Sequence, residues 1–121
     1  MASEFLDVQA YDGIVLAKIT KERLLDAPVI AALGEDLLKL VDRYPRLSLI
    51  LDLSDVAYLS SAFLGKLVAL FKALCAAKGR MTVAGVKPSL MSLFQVTRLD
   101  KVMTFEPVVE KAIQFYKRKL L

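Results

Sequence analysis

Between Leu47 and Leu53 the chain reads Leu-Ser-Leu-Ile-Leu-Asp-Leu, which leaves almost no polar position over the length of a strand. Such saturation fits a central strand covered on both faces rather than a surface strand with one wet side. Past Tyr58-Leu59-Ser60-Ser61 the pattern changes. Leu64, Leu67, Val68, Phe71, Leu74 and Cys75 recur at helical spacing, and after Gly65 neither Gly nor Pro intervenes until Gly79. The serine pair therefore marks the point where a buried strand gives way to a helix.

That position carries chemistry of its own. The first turn of a helix has unpaired backbone N–H groups and the positive end of the helix dipole, so an anion there is stabilised. A phosphate on Ser60 or Ser61 would be held. Either serine would also serve as an N-cap, a role for which serine is among the preferred residues, and local chemistry alone favours the cap.

The segment Tyr58-Leu59-Ser60-Ser61-Ala62-Phe63-Leu64-Gly65, preceded by Leu51-Asp52-Leu53-Ser54, resembles the signature of the STAS domain, the module shared by sulfate transporters and anti-sigma factor antagonists. The resemblance implies an α/β fold: an N-terminal antiparallel strand pair leading into a mostly parallel sheet of about five strands, with about four helices. By the same resemblance Ser61 falls on the phosphoacceptor serine of the bacterial antagonists, with Ser60 the secondary candidate. Two positions depart from the usual signature: Ser60 stands for the common Asp, and Phe63 for the first Gly. The implied partner-binding surface is Asp26, Ser60, Ser61, Ala62, Phe63, Leu64, Gly65 and Lys66, with the Phe63 ring altering the shape presented. Its implied partners are an anti-sigma factor with serine kinase activity and a serine phosphatase. The ATP belongs to the kinase, so neither cofactor nor metal is expected here, and the chain is expected to be a switch and not an enzyme. The alternative is a structural STAS subunit, such as those accompanying an ABC-type lipid transport complex. A ligand-binding module is the weakest of the three readings.

Composition narrows the rest. With 121 residues, 56% of them hydrophobic, residues 1–121 make one domain with a proper core. The single cysteine excludes an internal disulfide, and its place in the helical pattern predicts Cys75 to be a buried, reduced thiol in a cytoplasmic protein. Met1 to Phe5 shows no basic segment leading into an apolar one, so no signal peptide is expected, and no apolar run is long enough for membrane insertion. The net charge of +4 conceals an asymmetry: ten acidic and six basic residues up to Leu59, three acidic and eleven basic from Ser60 onward. Most of those lysines are scattered as on a solvated face, and Lys117-Arg118-Lys119 is the one run. With no nucleic-acid motif and no interleaved aromatics, a protein partner is expected and nucleic acid is not. A weak homodimer is left open.

In order, Asp12-Gly13 between two strand-like segments predicts a hairpin. Lys21-Glu22-Arg23 reads as a polar break, and Val29, Ile30, Leu33, Leu37, Leu40 and Val41 form a helical stripe behind Asp26, which is a cap or part of the partner surface. Tyr44-Pro45-Arg46 ends that helix. On the next helix Gly65, Ala69 and Ala73 lie four apart, a small-residue stripe expected against the sheet, and Gly79 ends it. A strand over 81–86, a short helix from Pro88 through Leu90, Leu93 and Phe94, a strand over 102–105 and a terminal helix with Val109, Ala112, Ile113, Tyr116 and Leu120 on one face complete the pattern. Strands alternating with helices imply a mostly parallel sheet.

The absence of histidine removes a Ser-His-Asp triad and any imidazole base or metal ligand. Hydrolysis through either serine would need a lysine base, for which Lys66 is the nearest candidate by sequence, and is not expected. No phosphate-cradling or dinucleotide glycine pattern is present, and Asp52 and Asp55 read as solvated loop acids in preference to a metal pair. A two-component receiver also carries an Asp near the end of its third strand. It needs an acidic pair after its first strand and a lysine after its last, where this chain has Thr20-Lys21-Glu22 and Thr104-Phe105-Glu106.

Overall fold

The computed structural model describes residues 4–120, without the side chains of Tyr11 and of residues 118–120. The side chains of Arg118 and Lys119 in the basic run and the inward placement expected of Leu120 therefore lie outside the described residues, as does the start of the Met1 to Phe5 segment. Strands β1 (Leu6–Tyr11) and β2 (Ile14–Ile19) form the expected hairpin. Its turn takes positive φ at both Asp12 (52°) and Gly13 (76°), the geometry that matches the twist of the flanking strands. A two-residue strand β3 (Arg23–Leu24) precedes helix α1 (Ala27–Arg43). Then follow β4 (Ser48–Asp52), a second two-residue strand β5 (Tyr58–Leu59), α2 (Ser61–Ala76), β6 (Arg80–Ala84), α3 (Pro88–Val96), a 3₁₀ turn at Leu99–Lys101, β7 (Thr104–Glu106) and α4 (Val109–Leu120).

The main sheet runs β1-β2-β4-β6-β7, antiparallel between β1 and β2 and parallel thereafter. Each crossover moves in the same direction across the sheet, and right-handed crossovers then place their helices on one face. α1, α2 and α3 accordingly bury Leu33, Leu37, Leu67, Leu74 and Phe94 against Leu49 and Leu51. α4 covers the opposite face alone, setting Ala112 and Tyr116 on Ile14, Ile50 and Ala84. The saturated run at 47–53 is thus explained: β4 is the middle strand, and Ile50 points away from Leu49 and Leu51 into the second core.

On the α4 face the Tyr116 hydroxyl donates to the Leu49 carbonyl at 2.8 Å. The Arg80 guanidinium lies 4.1 Å from the centre of its ring and donates through Nε to Ser48 Oγ at 3.0 Å. Burial pushes the phenol from its ordinary 10.0 up to about 12, against opposing pulls from Thr82 and Arg80. Thr82 Oγ1, close by and buried, makes no well-formed hydrogen bond, although it lies near enough to the phenol to favour its ionised form.

Several expectations need correction. Cys75 is exposed. The buried stripe of α2 is Phe63, Leu67, Leu70 and Leu74, and the residue after Leu74 is turned about 100° away from it. For the same reason Gly65 and Ala69 face outward instead of lying against the sheet. The left-handed residue closing α2 is Lys78 (φ 60°), while the Lys78 and Gly79 N–H groups return to the Cys75 and Leu74 carbonyls. Gly79 is needed because a Cβ there would meet the Leu47 carbonyl oxygen at 2.7 Å. The last strand begins at Thr104, since Val102 is exposed after the 3₁₀ turn. Lys21-Glu22-Arg23 is not simply a break, because Arg23 opens β3.

Candidate functional site

The serine pair is positioned by the smaller sheet. β3 and β5 pair in parallel with Leu24 opposite Leu59, and each is followed at once by a helix start. The Ala57 and Tyr58 N–H groups donate to the Glu22 carbonyl (2.8 and 3.1 Å), and the Ser60 N–H to the Leu24 carbonyl (3.1 Å). Asp26, at the N-cap position of α1, and Ser60, at that of α2, consequently leave the small sheet side by side. Leu24 and Leu59 point into the core, whereas Arg23 and Tyr58 point outward, with the guanidinium 4.7 Å from the ring centre.

The connection into this elbow is tied down from below. Asp52 is only 7% exposed and accepts the Ser54 N–H at 2.9 Å through Oδ1. It is a buried turn-former rather than a solvated loop acid. Lys87 Nζ donates to the Ser54 carbonyl at 2.7 Å, and Asp55 faces Lys18 at 3.6 Å. Gly85, at φ 74°, makes room: a Cβ there would come within 2.9 Å of Ser54 Cβ. Among the described residues no group of three or more His, Cys, Asp or Glu side chains could hold a metal ion.

At the start of α2 the carbonyl of Ser60 accepts the Phe63 and Leu64 N–H groups at 3.1 and 3.3 Å. Its side chain makes no cap bond, and Ser60 Oγ is shielded from solvent without a partner. Asp26 likewise makes no side-chain cap bond at α1. The N–H groups of Ser61 and Ala62 have no backbone acceptor among the described residues, and the first turn of α2 contains no acid. Neither serine is thus engaged as a side-chain cap, and the positive end of a 16-residue helix stays open.

Of the residues read as a partner surface, Asp26, Ser61, Ala62, Gly65 and Lys66 are exposed and Ser60 is partly so. Phe63, at 0% exposure, and Leu64 are turned into the core. The expectation that the Phe63 ring reshapes the surface is corrected: as the third residue of α2 it begins the buried stripe and anchors the helix start from inside. Lys66 lays its stem over α1, where a Cβ on Gly34 would meet Lys66 Cδ at 2.8 Å. Leu25, which with Asp26 resembles a Leu-Asp pair that the family carries next to the phosphoacceptor loop, belongs to an apolar patch whose extent the sequence did not show. Leu25 (47% exposed) and Tyr58 (50%) stand beside the serines, and with Leu59, Leu90 and Leu93 they line an open groove of about 450 Å³. The available signal was Leu25, an apolar residue lying outside the buried stripe of α1.

Residues 5–112 match the family model of the STAS domain. Among solved structures, an anti-sigma factor antagonist from Mycobacterium paratuberculosis is 25% identical, with a TM-score of 0.78 over 94% of this chain and 97% of that one. An anti-sigma-factor antagonist (STAS) domain protein from Planctomyces limnophilus is 20% identical, with a TM-score of 0.81 over 94% and 97%. The Bacillus cell fate determinant SpoIIAA in its phosphorylated form is 16% identical, with a TM-score of 0.71 over 92% and 98%. At the latter two identities the likeness is one of fold.

Proposed function

This chain belongs to the STAS domain family, and we propose that it is a regulatory binding protein of the anti-sigma factor antagonist kind, switched by phosphorylation of Ser61. The observation that carries this reading is the exposed Ser61 hydroxyl at an open helix start, flanked by the apolar groove of Leu25, Tyr58 and Leu93. The groove supplies contact area for an anti-sigma factor with serine kinase activity, and Ser61 follows two residues after Leu59 of its lining. Within that complex the kinase moves the γ-phosphoryl of ATP onto Ser61 Oγ, releasing ADP and the hydroxyl proton. The new group carries about −1.5 to −2 charges at pH 7. It is tolerated inside the domain by the helix dipole but buries an unpaired charge in the interface, so the complex separates without unfolding. A serine phosphatase restores the hydroxyl. The protein's part is recognition and not catalysis, with transcription regulated in the cytoplasm as the outcome; no described helix is long and apolar enough to cross a membrane.

Affinity capture with wild-type and Ser61→Asp proteins, followed by phosphosite mapping, tests the proposal. A soluble serine kinase should be retained by the wild type and bind the variant on the order of 100-fold more weakly, as for a charge forced into an interface. A transporter ATPase retained equally by both would sink the switch and leave a structural subunit.

A further inference from the structure

We propose that Ser60 is the positioning residue for a phosphate on Ser61: its Oγ–H turns out of the core and, with the free N–H groups of Ser61 and Ala62, holds the phosphoryl oxygens. This rests on the phosphorylation reading above. Two independent observations meet at the α2 start. Ser60 Oγ is shielded from water and has no partner, an unfavourable state for a hydroxyl that could be satisfied elsewhere. The Phe63 and Leu64 N–H groups use the Ser60 carbonyl, while the two before them are vacant because no preceding helical turn supplies their acceptors. A hydroxyl that capped the helix in the ordinary way would already be committed. This one is committed to nothing, and a change of χ1 well is the motion available to it.

Charges around the site set what the hydroxyl must do. Asp26 opens the neighbouring helix and Glu22 lies at the base of the small sheet, both disfavouring a dianion. Arg23 is stacked on Tyr58, and Lys66 lies over α1. With neither cation committed to the Ser61 side chain, close-range stabilisation comes from neutral donors and the helix dipole. Ser60 contributes the one side-chain donor among them.

The test uses protein carrying phosphoserine at position 61 installed during translation, so that no kinase is needed. Phosphorus NMR titration reads the second ionisation of the phosphate in three proteins: the one with Ser60 intact, Ser60→Ala and Ser60→Thr. The Ser60→Ala phosphate should titrate on the order of half a pH unit higher, as when one hydrogen bond to the charged form is lost. Ser60→Thr should restore the curve of the protein with Ser60 intact. Amide resonances of Ser61 and Ala62 should move downfield on phosphate ionisation in all three, showing that each variant is folded. Coincident curves with Ser60 intact and with Ser60→Ala would overturn the proposal. Failure of any kinase to modify Ser61 would instead remove the functional reading while leaving these titrations intact.

Discussion

Among the described residues two buried hydroxyls make no well-formed hydrogen bond, and they sit in opposite surroundings. Thr82 Oγ1 lies under α4, in the core that Tyr116 and Arg80 close over. Ser60 Oγ lies at the rim of the three-helix face, one residue from an exposed serine and beside an open helix start. An unmade hydrogen bond destabilises either site by a similar amount. The difference lies in what can arrive: Thr82 is covered by α4, whereas Ser60 borders an exposed helix start, where the proposed rotation would meet an incoming anion. An unsatisfied polar group is therefore informative about function when it borders a surface, and about packing when it does not.

Alkaline titration gives the largest effect. The Tyr116 phenol is held up to about 12 against 10.0 when unburied, so the folded state keeps its proton more tightly. That contribution is complete below pH 10 and is lost as pH rises from 10 through 12, at most about 2–3 kcal/mol. Urea unfolding at pH 8 and pH 11.5 should show this loss in the wild type and less of it in Tyr116→Phe, which in turn is weaker by about 1 kcal/mol at pH 8 because the Leu49 carbonyl loses its donor. An equal alkaline loss in both would show that the Thr82 side is open to water. Next in size, Thr82→Val replaces a desolvated hydroxyl by a methyl of the same shape and should raise stability by about 1 kcal/mol. A decrease would mean that Thr82 donates a bond in solution, and the two hydroxyls would no longer be alike. Smallest is Ser60→Ala in the unmodified protein, expected within about 0.5 kcal/mol of wild type because no cap bond is lost. A drop of about 1 kcal/mol, the usual value for a serine cap, would place the hydroxyl on the helix N–H groups already.

Much of the frame was legible because it is written in local chemistry. The 47–53 run announced a central strand, Asp12-Gly13 a hairpin, Pro45 a helix end, and the stripe from Ile30 to Leu40 a helix with one buried face. The pairing of β3 with β5 was not legible. Strands of two residues have no periodicity, and Leu24 meets a partner far along the chain only because α1 and β4 bring it there. The errors at Cys75, Gly65 and Phe63 share one cause. α2 is apolar or small on nearly every side, so hydrophobicity does not fix the rotation of its buried face, and packing against α1 and β6 decides it. At the site, the placement of a serine pair at a helix start could be read from the strand-to-helix change. The burial of Ser60 Oγ and the groove joining Leu25 to Tyr58 and Leu93 could not, since both depend on how distant elements are set together.

The β3–β5 pairing also bears on when the site comes into being. Joining Leu24 to Leu59 closes a loop of roughly 35 residues, an entropic term of about 3 kcal/mol for a flexible chain, and two-residue strands return too little to offset it alone. The surface around Ser61 can therefore assemble only after α1 and β4 have docked. A chain still being synthesised, or one trapped half-folded, displays the serines without the groove beside them and has nothing coherent to offer a partner. Under the proposed function, recognition at this elbow would double as an inspection of finished folding, and only completed molecules would be counted.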